Sequence, residues 1–234
     1  LSLYFFIVEE KKLFFFIFMF PLAFIKIQNF LIFLLAYIIY LFLKKGSMQR
    51  YLIFFGAGLL FVFSGDRIPI LKLFFARIEY YRWNLIAENF GYNWDFMANY
   101  DYQPFEVGLS MIPLLVKSLI YMLFKPFPWE ATNLVQLIQS LENIFIVFLV
   151  MWVARKKVHS LIIKKKLLFL NLLLVISMTI YGLVTFNFGT AARFRFPFIL
   201  VYLVFHFYLL KYDKIISRQL SQDYSSTTTI SLTA

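Results

Sequence analysis

The residues best able to do chemistry stand together at Asn187-Phe188-Gly189-Thr190-Ala191-Ala192-Arg193-Phe194-Arg195-Phe196-Pro197. Two guanidinium groups lie there between two strongly apolar runs, residues 167–186 and 198–210. Arginine near hydrocarbon is costly, so such a pair is either a site or an interfacial anchor. The chemistry it suits is anion binding. Gly189 permits a tight turn, and Asn187 or Thr190 can cap a helix whose first N–H groups face an anion. Phe196 precedes Pro197 and is biased towards extended backbone. In an extended segment Arg193 and Arg195 project to one side as a paired fork, with Phe194 and Phe196 on the other. A helix over 190–196 would put the arginines on nearly opposite faces and undo the pairing.

Further candidates lie upstream. Residues 66–107 are the most polar long stretch, with Arg67, Arg77 and Arg82 as cations and Glu79 and Glu88 as carboxylates. Their spacing over 68–88 predicts an amphipathic helix on the membrane surface, followed by a loop over 89–103. Residues 125–133, Lys-Pro-Phe-Pro-Trp-Glu-Ala-Thr-Asn, carry Trp129 and Glu130. Next, Gln136, Gln139 and Asn143 share one helical face, with Glu142 beside them. A polar stripe on a membrane helix faces protein or water, so it serves either helix–helix hydrogen bonds or substrate. Tyr202 and His206 are spaced to share a face with Arg195.

The elements that hold these residues are membrane helices. The chain is 62% hydrophobic and only 15% charged, whereas a soluble domain is nearer half apolar and a quarter charged. The apolar runs are continuous and do not alternate, which excludes a membrane barrel and predicts an all-α, polytopic transmembrane bundle. The formal charge of +11 reports on topology and anionic lipid before nucleic acid. With no cysteine, and only His159 and His206 far apart, no metal site or cofactor is expected.

Four regions follow. Residues 1–65 are N-terminal transmembrane helices, with a break near Pro21 and the polar trio Lys26, Gln28 and Asn29. The chain opens with Leu1 inside an apolar stretch, and further helices are expected before it. Residues 66–133 form an outer-side unit, in which 109–124 is a re-entrant segment interrupted by Pro113 and Lys117. Residues 134–210 are C-terminal transmembrane helices, and 211–234 form a disordered, polar cytoplasmic tail. The re-entrant assignment comes from parity. The basic loops at 44–50 and 155–166 both read as cytoplasmic, so an even number of crossings separates them. Arg67, Arg77, Arg82, Arg193 and Arg195 then share the outer face.

Taken together, residues 125–133, Gln-x-x-x-Ser-x-Glu-Asn at 136–143 and Asn-x-Gly-Thr-x-x-Arg-x-Arg-x-Pro at 187–197 resemble membrane proteins of bacterial surface-polysaccharide loci. The chain is similar to O-antigen or capsule repeat-unit polymerases over about residues 109–210. The resemblance implies an enzyme of the bacterial inner membrane that joins repeat units carried on polyprenyl pyrophosphate at the outer face. It implies Arg193 and Arg195 on the leaving pyrophosphate, helped by Asn187, Gly189 and Thr190, and Arg67, Arg77, Arg82 and Trp129 on the lipid-linked glycan. Glu130 and Glu142 are then base candidates, with Glu79 behind them. The implied partners are the lipid-linked oligosaccharide, membrane lipid and other polysaccharide-assembly proteins, with no nucleic acid. A lipid-phosphate-sugar-dependent glycosyltransferase, a glycan flippase and a non-catalytic membrane protein are the rival readings.

Overall fold

The computed structural model describes residues 2–44, 46–64, 67–69, 72–73, 76–77, 79–80, 82–84, 108–185 and 188–231. Among them the regular structure is helical and no strand occurs. The helices are α1 (Ser2–Ile7), α2 (Lys12–Met19), α3 (Pro21–Ile25), α4 (Ile27–Leu43), α5 (Met48–Ser64), α6 (Met111–Phe124), α7 (Leu134–Ala154), α8 (Leu161–Val184) and α9 (Phe188–Ser231).

Among the described residues, three helical stretches are long and apolar enough to cross a membrane: Leu134–Ala154, Leu161–Val184 and Ala191–Ser217. At 21, 24 and 27 residues they span about 30 to 40 Å, against a hydrocarbon core of roughly 30 Å. These spans make the chain a helical membrane protein by length and composition. Helix α6 has 14 residues, or about 21 Å, and falls short. Helices α4 and α5, at 17 residues each, fall just under the same length.

Near the amino terminus α2 passes into α3 through Phe20, which keeps helical dihedrals, and proline takes the first position of α3. The chain breaks at Lys26, whose backbone leaves the helical region. At the other end α9 runs on to Ser231, where a disordered tail was expected from residue 211. Extending an existing helix needs no new nucleus, and Tyr212, Ile215 and Ile216 keep an apolar spacing beyond Leu210.

The chain divides into two compact units. The first comprises Leu1–Tyr40, Phe148–Leu174 and Ile199–Ala234. Its centre is aromatic. Phe6 lies 4.6 Å from Phe169 and 5.0 Å from Phe15 by ring centroids, and packs edge-on to Tyr37. Tilted and edge-to-face pairs of this kind add about 0.5–1.5 kcal/mol each beyond area burial. In the same unit the Tyr202 hydroxyl donates to Asn171 Oδ1 at 2.9 Å. The buried Asp213 accepts the backbone N–H groups of His159 and Ser160, at 2.9 and 2.8 Å, just ahead of α8. A carboxylate there satisfies first-turn donors and matches the helix dipole.

The second unit comprises Leu41–Val147 and Val175–Phe198. Here α6 lies against the C-terminal part of α8 at very close range. A Cβ built on Gly182 would meet the Ser118 carbonyl oxygen at 2.1 Å. Only glycine permits that approach, as small residues do where membrane helices touch. Ser118 is itself buried and turns its hydroxyl back to Leu114 O.

Candidate functional site

The geometry around α6 begins with missing donors. A helix leaves its last carbonyls without partners. The carbonyl of Met122 would look four residues ahead to position 126, but that residue is proline and has no N–H. The carbonyl of Leu123 would look to Phe127, whose N–H donates instead to Glu130 Oε2 at 3.3 Å. Both carbonyls are therefore open, and Arg195 fills them. Its Nη1 donates to Met122 O at 2.9 Å and to Leu123 O at 3.0 Å, while Nη2 donates to Asn143 Oδ1. Asn143 in turn donates from Nδ2 to Lys125 O at 2.9 Å. Arg195 is 4% exposed and Asn143 is buried. Three donated bonds from one planar fork fix α6, the loop after it, α7 and the start of α9 at one point.

The loop from Lys125 to Asn133 is built on the same scale. Glu130 Oε1 lies 3.6 Å from Lys125 Nζ, and that ammonium sits 4.1 Å from the centroid of the Tyr121 ring. Trp129 is 78% exposed and stacks on Phe127 at 4.8 Å. Asn133 caps α7, its Oδ1 accepting the Gln136 N–H at 2.9 Å. Gln136 Oε1 reaches back to the Thr132 N–H at 2.8 Å.

The paired-fork expectation for the arginines is overturned. Residues 188–200 are helical, so Arg193 and Arg195 lie about 200° apart around the axis. Arg195 is buried and engaged. Arg193 is exposed and makes no hydrogen bond or ion pair among the described residues. Pro197 sits inside the helix, so its bias on Phe196 is overridden. That proline is the tenth residue of α9, and its absent N–H removes the bond that Arg193 O would otherwise accept.

The other candidates divide the same way. Arg82 is 3% exposed; its Nε donates to Leu183 O and its Nη1 to Glu79 Oε2, both at 2.8 Å. Burial pulls its guanidinium below the ordinary value, and the Glu79 carboxylate pushes it back up. Like Arg195, it completes the C-terminal turn of a helix, here α8. Arg67 and Arg77 are exposed, Arg77 lying 5.9 Å from the centroid of the Tyr80 ring. Glu142 is exposed and makes no hydrogen bond among the described residues, but its charge acts on Arg195. Gly189 is exposed, and Thr190 has helical backbone. Asn187 and the loop expected over 89–103 lie outside the described residues.

The structure thus brings together Lys125, Glu130, Asn143 and Arg195, one or more from each of the three segments that carried the resemblance. Asn143 is the joint, and as a stripe residue it was read without a role of its own. Its sequence signal is the side-by-side Glu142-Asn143 at the end of the polar stripe of α7. Pro126 marks the open carbonyl of Met122, but nothing in the sequence pairs it with Arg195. His206 is 1% exposed, packs on Tyr202 at 5.0 Å, and finds no hydrogen-bond partner for either ring nitrogen among the described residues.

No protein-family model, curated protein or solved structure matches the chain.

Proposed function

We propose that this chain is a multi-pass protein of the bacterial inner membrane that joins polyprenyl-pyrophosphate-linked oligosaccharide repeat units on the outer face. The observation that supports it is the meeting of the three resembling segments at Asn143, with Arg193 left exposed close by in sequence. In this reading the two arginines have separate tasks. Arg195 is a positioning residue that fixes the start of α9 against α6 and α7. Arg193, free of protein partners among the described residues, meets the pyrophosphate.

The reaction then runs as a single displacement. The acceptor hydroxyl oxygen attacks the anomeric carbon of the donor sugar, and the bond from that carbon to the pyrophosphate oxygen breaks. Glu142 takes the hydroxyl proton, being the carboxylate without a hydrogen bond, whereas Glu130 is held by Lys125 and Phe127 N–H. Arg193 neutralises charge on the departing lipid pyrophosphate. The flat indole face of Trp129 suits contact with a sugar ring, and Arg67 and Arg77 are cations for the second lipid-linked chain.

Glycan length tests this. Cells carrying the gene with Arg193→Ala should accumulate single-repeat glycan on lipid at unchanged protein level. Normal ladders from Arg193→Ala would sink the assignment. Dependence on a lipid monophosphate donor would move the reading to a lipid-phosphate-sugar glycosyltransferase, and substrate movement without bond formation would move it to a flippase.

A further inference from the structure

A separate cluster of cations lies within the first unit. Phe6, Glu10, Lys12, Tyr40, Ile162, Lys165 and Lys166 line a cavity of about 140 Å³. Three lysines line one small space. Glu10 answers one of them, its Oε1 lying 2.6 Å from Lys166 Nζ. It does so from a left-handed backbone, φ 59°, which residues other than glycine seldom adopt and which packing must hold in place. Lys12 and Lys165 make no ion pair among the described residues. Two like charges in one cavity repel, so the space favours an anion.

The surroundings say which kind. The cavity is smaller than the usual 300–1,000 Å³ of a whole-ligand pocket, so it admits a headgroup and little else. Its remaining wall is Phe6, Tyr40 and Ile162, and the chain neighbours Leu13 and Leu161 present exposed apolar side chains. Lys165 and Lys166 belong to the first turns of α8, which is long and apolar enough to span. A phosphate with attached acyl chains meets both requirements, because basic pockets at the ends of membrane helices hold anionic headgroups.

We infer that this cavity binds the phosphate of an anionic glycerophospholipid, with Lys12 and Lys165 as its ligands and Glu10 setting the pocket's charge through Lys166. The probe is phosphatidylglycerol against phosphatidylcholine with the same acyl chains. The readout is bound lipid on the purified full chain by native mass spectrometry. Wild type retains phosphatidylglycerol in preference. Lys12→Gln with Lys165→Gln lowers that preference by roughly 25-fold, about fivefold per lysine. The arginine pair at the same positions keeps it, and Lys211→Gln with Lys214→Gln leaves it unchanged. Glu10→Gln raises it about fivefold by freeing Lys166, and this variant decides the matter if the glutamine pair does not fold. An unchanged preference in Glu10→Gln or in the folded glutamine pair overturns the inference. So does an equal loss in the Lys211/Lys214 control, which would mean general surface charge. Displacement of the lipid by equimolar inorganic phosphate would mean a site for a free anion, and also overturns it.

Discussion

Replacing Arg195 with methionine tests whether it is a clamp or a ligand. The substitution keeps an unbranched apolar stem of similar reach and removes the fork. Three acceptors lose their donor: Met122 O, Leu123 O and Asn143 Oδ1. Each buried group left unsatisfied costs about 1–3 kcal/mol. Against this stands the relief of no longer burying a guanidinium, which is several kcal/mol before its bonds are counted. The balance favours a loss of roughly 3 kcal/mol, because neither carbonyl has an alternative donor: position 126 is proline and the Phe127 N–H is already given to Glu130. Arg195→Lys should recover about half, since an ammonium can reach one or two acceptors but lacks the planar fork. Asn143→Ala should cost about 2 kcal/mol through its two bonds.

The decisive quantity is the coupling in the Arg195→Met, Asn143→Ala cycle, measured by reversible unfolding in detergent. Ordinary hydrogen bonds between membrane helices average about 0.6 kcal/mol in such cycles. A charged donor on a buried amide should give more than 1 kcal/mol. A coupling at or below the ordinary value would refute the clamp. So would Arg195→Met protein that is as stable as wild type while its glycan ladder is lost, since that pattern belongs to a substrate ligand.

Two further outcomes follow from the same packing. Gly182→Ala should separate α6 from α8 by roughly 1 Å and cost about 1–3 kcal/mol or more, because the new methyl would stand 2.1 Å from Ser118 O; a melting temperature equal to wild type would show that the approach is looser than described. His206→Phe should leave stability unchanged or raise it, because two buried ring nitrogens without partners among the described residues are removed; each kcal/mol gained lifts the melting temperature by about 2–4 °C, and a clear fall would show that the imidazole has a bonding role.

Some of this was legible in the sequence because it depends on composition and period. Helical class, the long apolar helices near 134–153 and 167–186 and the break at Lys26 follow from the lengths of apolar runs and the residues that punctuate them. The third span, Ala191–Ser217, takes in part of the polar island that the run 198–210 leaves out. The re-entrant reading of 109–124 rests on loop parity and not on its length. The geometry at 193–197 was not legible. The rule that disfavours helix before proline is local, and α9 overrides it by continuing on both sides of Pro197. The roles of Arg82 and Arg195 were hidden for a different reason. Each binds backbone carbonyls of helices 101 or 72 to 73 residues away in sequence, and no residue type tells which distant cation will meet a given carbonyl. Asn143 was visible as part of a polar stripe; it meets Arg195 of α9, while Gln136 of the same stripe bonds Thr132 just ahead of its own helix.

The two buried arginines are explained by one requirement. Backbone groups surrounded by hydrocarbon have no water to turn to, so each must be satisfied within the protein. At about 21 Å, α6 is shorter than a hydrocarbon core of roughly 30 Å, so if it enters the membrane at least one of its ends stays inside. Its C-terminal end is also the one that Pro126 and the Glu130-bound Phe127 deprive of donors. A lysine could answer one carbonyl, a serine or asparagine one more. Only arginine offers several donors in one plane, at a helix end where positive charge is favoured by the dipole. Arg82 meets the same need at Leu183, with Glu79 balancing its charge. An arginine recruited for that purpose has few donors left for a ligand. Under the proposed function, the lipid-linked phosphate therefore falls to the exposed cations, Arg193 first among them.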